Sequence, residues 1–428
     1  MRTLLLLLIG ALAAPAAVAQ GRAGTGPAPI ADAVNALLAD KALNGAKIAI
    51  YAARADGTGK PLYAYEADTR LHPASNTKVV TTAAALVSLG PTFAFRTDLF
   101  AEDMIEGKAK ALYLQGRGDP RLYSEELWKL LDEARFEGLR AVEGDVVVDD
   151  SYFTERYEPP GYEEKPDDDA SYRAPSGALS LDLNAAEITL LPGANVGDPP
   201  VVRLRRARDY FVIENGATTT RRGRERLALQ AKRAADGRTR LIVSGRIAQN
   251  HPGITVRRRI DHPALYAGYA AKQLLQEMGI QVKGKVRVGA VPGKGVRRLG
   301  LHYSQPVSRQ ILDVNKWSIN MMAEALVRAM GRVRGTGGDW AGGVPVVTKF
   351  LNEDVGIKGF TYTNGSGLFG ATAFSPRELV KVLQHMHGRT PALPEFAASL
   401  ALGGRDGTLR RRFRGSDLGR VRAKTGTL

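Results

Sequence analysis

The sequence contains no cysteine, which excludes disulfide bonds, thiolate metal sites and a cysteine nucleophile. Histidine is also scarce: the six histidines are scattered, and none belongs to the His-Glu-x-x-His pattern of zinc peptidases. His385 and His387 stand two positions apart on an expected helix, so they point to different faces and make a poor metal pair. We therefore predict that the histidines are surface or packing residues and that the chain has no metal site.

Long apolar runs are absent beyond the N-terminus, so no later segment is predicted to span a bilayer. Residues 1–19 resemble a secretory signal peptide, because Arg2 gives a positive start and residues 4–12 are apolar. Ala17–Ala19 then match an A-x-A cleavage site, and no cysteine is present to carry a lipid anchor. We predict an exported, soluble protein of the periplasm.

Acidic residues are in the minority: 44 Asp and Glu stand against 60 Lys and Arg, giving a formal net charge of +16. Much of the excess lies between Arg203 and Arg259, where arginines alternate with apolar residues. No RNA-binding motif or zinc finger accompanies this charge, and we predict no nucleic-acid partner. Electrostatic attraction to the anionic cell envelope is the favoured interpretation, and a solvated face without a dedicated partner is the alternative.

The length of 428 residues exceeds what one ordinary core holds and indicates several domains. Residues 20–95 and 301–428 are predicted to form one discontinuous domain rich in helices. Residues 96–300, where short strands alternate with turns, are predicted to be an inserted, mainly β region of one or two subdomains. A nearly uncharged helix is expected over Thr77–Leu89, and a strand over Arg420–Thr427.

Three short motifs lie in the two outer segments: Ser75-Asn76-Thr77-Lys78, Ser318-Ile319-Asn320 and Lys424-Thr425-Gly426. Each is common enough to arise by chance, and most Ser-x-x-Lys pairs are solvated helix faces. Here, however, the motifs fall at the start of a buried helix, at the start of another helix and on a strand. Their joint occurrence predicts a single active site.

The first motif suits a serine nucleophile that is served by a lysine. Attack on a carbonyl needs an activated hydroxyl and an acceptor for its proton. Positions i and i+3 are neighbours on a helix, so Lys78 is expected beside Ser75. Burial and the positive charge of Lys424 would both lower the pKa of Lys78. We predict Ser75 as the nucleophile and neutral Lys78 as its base.

The second motif is predicted to supply Ser318 as a proton relay toward the leaving amine. The amide of Asn320 both accepts and donates hydrogen bonds, so it can orient Lys78 and the substrate backbone. Both residues are therefore predicted to be catalytic.

The third motif is predicted to border the substrate cleft. Lys424 would bring charge, the hydroxyl of Thr425 would bind a terminal carboxylate, and Gly426 would let a ligand approach the backbone. The backbone N–H groups of Ser75 and Thr427 are predicted to form the oxyanion hole, commonly the largest catalytic contribution.

The trio in this order resembles that of penicillin-binding proteins and β-lactamases. More closely, the chain resembles the D-alanyl-D-alanine carboxypeptidase/endopeptidases that form class C of the low-molecular-mass penicillin-binding proteins. The large insertion between the first two motifs is typical of that class. The similar segments are His72–Ala84, Gly116–Pro120, Gly144–Asp149, Ser318–Leu326, Asn364–Leu368, Gly404–Leu409 and Ala423–Leu428.

The resemblance implies an α+β fold: a penicillin-binding/β-lactamase-like transpeptidase domain, with an antiparallel sheet and helices on both faces, that carries a large mainly β insertion. It implies a serine D,D-peptidase that cleaves terminal D-Ala-D-Ala bonds or cross-links of peptidoglycan through an acyl-serine intermediate. Peptidoglycan stem peptides are then the substrates and β-lactam antibiotics the covalent inhibitors. No metal or organic cofactor is implied.

Two features depart from the family pattern. Asn364 replaces an aspartate, and Phe369-Gly370 replace a Ser-Arg pair whose arginine is expected to help read the substrate side chain. No preference for one stem peptide is therefore predicted. Family members also continue beyond the third motif with further strands and a helix, so the resemblance predicts that the end of the catalytic domain is missing after Leu428.

Other functions remain open at this point. A non-catalytic peptidoglycan-binding relative with an incomplete catalytic domain is the main alternative. A β-lactamase would need a carboxylate that activates water near the acyl-serine, and none is identified. A Ser-His-Asp hydrolase built on Ser366 is disfavoured because the surrounding residues do not form G-x-S-x-G. The sequence predicts neither the oligomeric state nor a choice between carboxypeptidase and endopeptidase action.

Overall fold

The computed structural model describes residues 24–154, 156–389 and 391–427, together with the backbone of residues 8–11. The chain divides into two compact units. The first unit comprises Met1–Phe93, Pro160–Glu164 and Pro306–Leu428, and the second comprises Ala94–Pro159 and Lys165–Gln305.

The helices in chain order are α1 (Ala28–Leu38), α2 (Thr77–Ser88), α3 (Ser124–Phe136), α4 (Pro263–Glu277), α5 (Val307–Lys316), α6 (Asn320–Arg334), α7 (Trp340–Lys349), α8 (Pro376–Gly388) and α9 (Leu393–Ser399). The strands are β1 (Leu8–Ala11), β2 (Lys47–Ala52), β3 (Tyr63–Tyr65), β4 (Arg96–Glu102), β5 (Lys108–Ala109), β6 (Ala111–Gly116), β7 (Ala141–Val142), β8 (Val146–Asp149), β9 (Ala185–Leu191), β10 (Val201–Leu204), β11 (Phe211–Asn215), β12 (Thr218–Thr220), β13 (Arg226–Arg233), β14 (Thr239–Ala248), β15 (Ile254–Arg259), β16 (Gln281–Val282), β17 (Val286–Val288), β18 (Val296–Tyr303), β19 (Ala401–Leu402) and β20 (Arg422–Ala423).

The first unit is built around helix α2, which packs against α5, α6, α7 and α8. Apart from Lys78, α2 consists of uncharged residues, chiefly alanine, threonine and valine, and every residue from Thr77 to Leu86 is buried. A helix that is apolar all round is stable only inside a core. The lysine of the first motif is therefore carried into the interior by the helix to which it belongs.

The sheet of the first unit has the order β1-β2-β3 with antiparallel pairing. Ile50 and Tyr63 of this sheet are buried against Ile30 and Val34 of α1, whose spacing of four places both on one helix face. Helix α8 packs against β2. Strand β1 lies within the segment interpreted as a signal peptide, and the cleavage site at Ala17–Ala19 lies outside the described residues.

The second unit contains a five-stranded mixed sheet of order β17-β8-β6-β4-β18, with α3 packed against β18 and α4 against β8. Smaller sheets are formed by β10-β9-β15 and by β11, β12 and β13 around β14. The sequence analysis did not predict α3, although Leu127, Leu130, Leu131 and Ala134 give its buried face a helical spacing.

The strand predicted over Arg420–Thr427 is wrong in extent. Only Arg422–Ala423 form a strand (β20), which pairs with Ala401–Leu402 (β19). From Lys424 onward the described backbone has no strand partner, and Gly426 lies against the turn that precedes α2.

No helix in the described parts of the chain is both long and apolar enough to cross a membrane.

Candidate active site

Ser75 and Lys78 lie in hydrogen-bonding contact at the start of α2. A single 3-10 turn, Ala74–Asn76, precedes the helix and leaves Ser75 partly exposed, while Lys78 is fully buried. Lys78 Nζ donates to Ser75 Oγ at 2.8 Å and to the carbonyl of Ser366 at 2.8 Å. The predicted nucleophile therefore faces solvent, and the predicted base approaches it from the protein interior.

The environment of Lys78 disfavours its charged form. Burial lowers the pKa of this amine well below its ordinary value of 10.5. The positive charge of Lys424 lowers it further, whereas the negative charge of Glu324 acts in the opposite direction. Because the first effect is the largest, the amine can be neutral and can accept a proton from a hydroxyl.

The second and third motifs also meet. Lys424 Nζ donates to Ser318 Oγ at 2.9 Å and to the carbonyl of Thr425 at 2.7 Å. Burial lowers the pKa of Lys424 to about 7. Ser318 has a left-handed backbone with φ of 62°, a strained conformation for a non-glycine residue that the fold retains at this position.

The segment that carries the third motif, Lys424–Gly426 (the closing segment), lies directly on the turn that carries Ser75. A Cβ atom added to Gly426 would lie 2.9 Å from the Pro73 carbonyl oxygen and 2.9 Å from Asn76 Nδ2. Such distances are shorter than normal contacts, so only glycine fits without a shift. The third motif thus lies against the turn that carries the first motif.

The remaining predicted residues flank these contacts. Asn320 is buried and is the first residue of α6. Thr425 donates its hydroxyl hydrogen to Thr408 Oγ1 at 2.9 Å. Thr427 is exposed and follows Gly426 at the edge of the described chain.

Glu324 is a buried residue of the site that sequence reasoning missed. Its Oε1 accepts from the N–H of Ser366 at 2.8 Å, and its Oε2 accepts from the N–H of Gly365 at 2.9 Å. The indole Nε1 of Trp340 donates to the same Oε2 at 2.7 Å. A sequence signal was present, because Glu324 is the only charged residue among residues 319–327.

The departure from the family pattern at Asn364 has a structural explanation. Its Oδ1 accepts from the N–H of Gly367 at 2.8 Å, and its Nδ2 donates to the Pro160 carbonyl at 3.0 Å. An ionised aspartate could not make the second bond. Gly367 has φ of 68°, and a Cβ there would lie 2.1 Å from the Ala74 carbonyl oxygen. The amide thus holds a glycine turn against the nucleophile segment.

In the described ranges, no group of three or more His, Asp or Glu residues could hold a metal ion. The hydrogen-bonding groups shown for the three motifs are hydroxyls, amines and backbone carbonyls. Their arrangement supports proton transfer from a hydroxyl to a neutral amine.

Solved structures show the same fold. The crystal structure of penicillin binding protein 4 from Haemophilus influenzae is matched over 86% of this chain and 82% of that chain, with a TM-score of 0.73 and 24% sequence identity. A second crystal structure of that protein, complexed with a novel β-lactam, is matched with a TM-score of 0.68. The predicted α+β fold of the penicillin-binding type is confirmed.

Sequence comparisons identify the family. The D-alanyl-D-alanine carboxypeptidase of Actinomadura sp. (strain R39) is 32% identical over 413 residues, which are 92% of this chain and 76% of that protein. The D-alanyl-D-alanine carboxypeptidase DacB of H. influenzae is 24% identical over 81% of this chain and 72% of its own length. The D-Ala-D-Ala carboxypeptidase 3 (S13) family matches residues 30–428. The resemblance drawn from the motifs is thus confirmed, and this chain belongs to the D-Ala-D-Ala carboxypeptidase 3 (S13) family of serine peptidases.

Proposed function

We propose that this protein is a serine D,D-peptidase that cleaves terminal D-Ala-D-Ala bonds and/or peptide cross-links of peptidoglycan through an acyl-Ser75 intermediate. The contact between Lys78 Nζ and Ser75 Oγ, at 2.8 Å, is the observation that carries the proposal. A neutral amine at hydrogen-bonding distance from an accessible hydroxyl is the arrangement that nucleophilic catalysis requires. The family of the chain supports the assignment of the substrate class.

In the acylation step, Ser75 Oγ forms a bond to the carbonyl carbon of the penultimate D-Ala, and its proton passes to Lys78 Nζ. The C–N bond to the terminal residue then breaks, and the leaving amine takes the hydroxyl proton of Ser318, which a proton from Lys424 replaces. Lys424, which donates to Ser318 Oγ, completes this path. Water then attacks the ester and passes a proton to Lys424, the C–O bond to Ser75 breaks, and Ser75 Oγ takes back the proton held by Lys78, which releases the shortened peptide.

The other residues of the motifs are assigned to binding. The backbone N–H groups of Ser75 and Thr427 would donate to the oxyanion that forms on the carbonyl. Thr425 and Gly426 would border the strand of substrate that ends in a carboxylate, and Asn320 would orient the substrate backbone. The close contact of Gly426 with the turn that carries Ser75 supports this assignment.

The proposal predicts that penicillin attaches covalently to Ser75. Because the β-lactam ring presents a strained amide to the nucleophile, the acyl-serine should accumulate. Intact-mass measurement should show one added penicillin, and peptide mapping should place it on the peptide that contains Ser75. Without penicillin, the same protein should release D-Ala from a peptide ending in D-Ala-D-Ala.

Three other results would count against the proposal. An adduct on Ser366 would indicate a different nucleophile. A folded protein that neither forms an adduct nor releases D-Ala would instead be a non-catalytic relative that binds peptidoglycan. Rapid, continuous hydrolysis of the penicillin would indicate a β-lactamase.

The two compact units support the division that the sequence predicts. We propose that residues 20–95 and 301–428 form the catalytic domain and that residues 96–300 form an insertion. We also propose that residues 1–19 direct export and that the protein works in the periplasm, where peptidoglycan lies.

We further propose that a cationic face of the sheet around β14 is attracted to the anionic cell envelope. Arg226 pairs directly with Arg246, and Lys232 pairs with Arg240, in the register of β13 and β14. Like charges placed opposite each other destabilise a sheet. Arg240 contacts Glu214, but Arg226, Arg246 and Lys232 form no ion pair within the described part of the chain.

Removing two of these charges should weaken binding to anionic membranes. The double variant Arg226→Gln/Arg246→Gln should bind vesicles containing about one-third phosphatidylglycerol roughly tenfold or more weakly than the unchanged protein, since each arginine near such a surface contributes about 1 kcal/mol. The control is Arg287→Gln/Arg297→Gln, which removes the same charge from ion-paired arginines. Equal losses in both variants, measured by co-sedimentation, would show that only net charge matters.

A further inference from the structure

The backbone of Gly365 and Ser366 joins Glu324 to the helix of the nucleophile. On one side, the two N–H groups donate to the carboxylate of Glu324 at 2.9 and 2.8 Å. On the other side, the Gly365 carbonyl accepts from Thr81 Oγ1 at 2.7 Å, and the Ser366 carbonyl accepts from Lys78 Nζ at 2.8 Å. The same two residues thus bind α6 through their donors and α2 through their acceptors.

Packing alone does not require a carboxylate at the position of Glu324. Removing a carboxylate from water is unfavourable unless its oxygens find donors, and an apolar residue of similar volume would avoid this desolvation. Both oxygens of Glu324 act only as acceptors, from two backbone N–H groups and from Trp340 Nε1, as an ionised carboxylate does. The group therefore places a fixed negative charge and two fixed acceptors behind the Ser366 peptide.

We propose that Glu324 is a positioning residue for Lys78: its carboxylate fixes the Ser366 carbonyl that accepts one hydrogen of the amine and so directs the amine at Ser75. The catalytic consequence rests on the proposed function, whereas the structural part does not. Glu324 acts through the Ser366 peptide and does not touch the substrate.

The same carboxylate also acts on the charge of the amine. Two charged groups act on Lys78: Glu324 of α6 and Lys424 of the closing segment. The hydroxyl of Tyr362 lies on the same helix face, where it is hydrogen-bonded to Thr81. Three charged residues of the other elements packed on α2 have their own partners, Lys316 with Asp406, Lys349 with Glu353 and Glu378 with Arg70, whereas Lys381 is exposed. Since the charge of Glu324 raises the pKa of Lys78, its removal should lower that pKa further.

The variant Glu324→Gln tests both effects. A glutamine has one acceptor oxygen, and its NH₂ group would face a backbone N–H, so the Ser366 peptide should shift. Misplacement of a catalytic group by about 1 Å can reduce the rate about 100-fold. We expect penicillin acylation to slow about 10- to 100-fold, and the acidic limb of its pH profile to move to lower pH because Lys78 loses its proton more readily.

The variant Glu324→Asp separates geometry from charge. It keeps the negative charge but is shorter by one methylene group, so it should slow acylation while the acidic limb stays near that of the unchanged protein. Glu378→Gln is the matched control, because Glu378 is a buried carboxylate of the same unit that accepts from the Ser375 N–H at the start of α8 and contacts Arg70. That control should leave the pH profile unchanged.

A spectroscopic readout makes the test independent of turnover. In protein labelled with [6-¹³C]lysine, the Lys78 signal can be assigned by its loss in Lys78→Met, and its titration should move to lower pH in Glu324→Gln. An unchanged titration together with an acylation rate within twofold of the original would overturn the inference. If the unchanged protein shows no acylation at all, the proposed function fails, and the titration alone still decides the role of Glu324.

Discussion

Replacing Ser75 with alanine is expected to abolish both the penicillin adduct and the release of D-Ala. The hydroxyl is the atom that becomes bonded to the substrate carbonyl, so no other group can take its place in an acyl-enzyme mechanism. Losses of about 10⁴-fold or more are typical when a nucleophile is removed. Single-turnover acylation, followed by mass spectrometry, measures the effect directly.

Ser366→Ala is the matched control for this experiment. Ser366 is a buried serine of the same site, and its backbone carbonyl, not its hydroxyl, contacts Lys78. Its Oγ accepts only from the N–H of Leu368, at 3.1 Å. The alanine variant should therefore keep most of the activity. If the two alanine variants exchanged these outcomes, Ser366 would be the nucleophile and the proposed mechanism would be wrong.

Much of the site was predictable because its main contacts are local or lie within short motifs. The Ser75–Lys78 contact follows from helical spacing, and the burial of Lys78 follows from the apolar composition of α2. The contact of Gly426 with the Ser75 turn was not predicted, since the sequence assigned this glycine to the approach of a ligand. The roles assigned to these residues remain predictions.

Other parts of the site depend on contacts between residues that are remote in sequence. Ser366 accepts from Lys78 across 288 positions, and Glu324 binds the Gly365 N–H across 41. No local pattern specifies such pairings, since they arise when α2, α6 and the loop of residues 362–370 pack together. A single carboxylate within an apolar helical run was the available clue.

In the fold, too, elements with strong local patterns were predicted better than elements that depend on a distant partner. The helix α2 ends within a few residues of its predicted position because its pattern is strong and local. The strand at Arg420–Thr427 was predicted too long because alternation alone does not reveal whether a partner strand is present. Helix α3 was missed within a region interpreted as mainly β, although its own spacing indicated it.

Lys78→Met should reduce the rate of acylation about 10³- to 10⁴-fold, near the upper range for loss of a general base. Methionine is unbranched and similar in length, so it can fill the space of a fully buried lysine without a proton acceptor. Lys381→Met serves as a control, because that lysine is exposed on α8. Acylation by Lys78→Met within tenfold of the unchanged protein would exclude Lys78 as the base.

The same variant should reveal the energetic consequence of burying the amine. The folded pKa of Lys78 lies well below its unfolded value near 10.5, so the unfolded state binds the proton more readily. Between these two pKa values, the free energy of unfolding of the unchanged protein therefore falls as the pH falls. Lys78→Met lacks this dependence, while Lys424, whose pKa is about 7, is present in both proteins.

Relative to the unchanged protein, Lys78→Met should therefore become more stable as the pH is lowered from about 10 toward neutrality. Denaturant titrations of both proteins at several pH values measure this difference. A difference that stays constant over that range would mean that Lys78 remains charged in the folded protein, and a charged amine could not accept the proton of Ser75. Loss of activity combined with a pH-dependent gain in stability is thus the specific result that a buried, neutral lysine base requires.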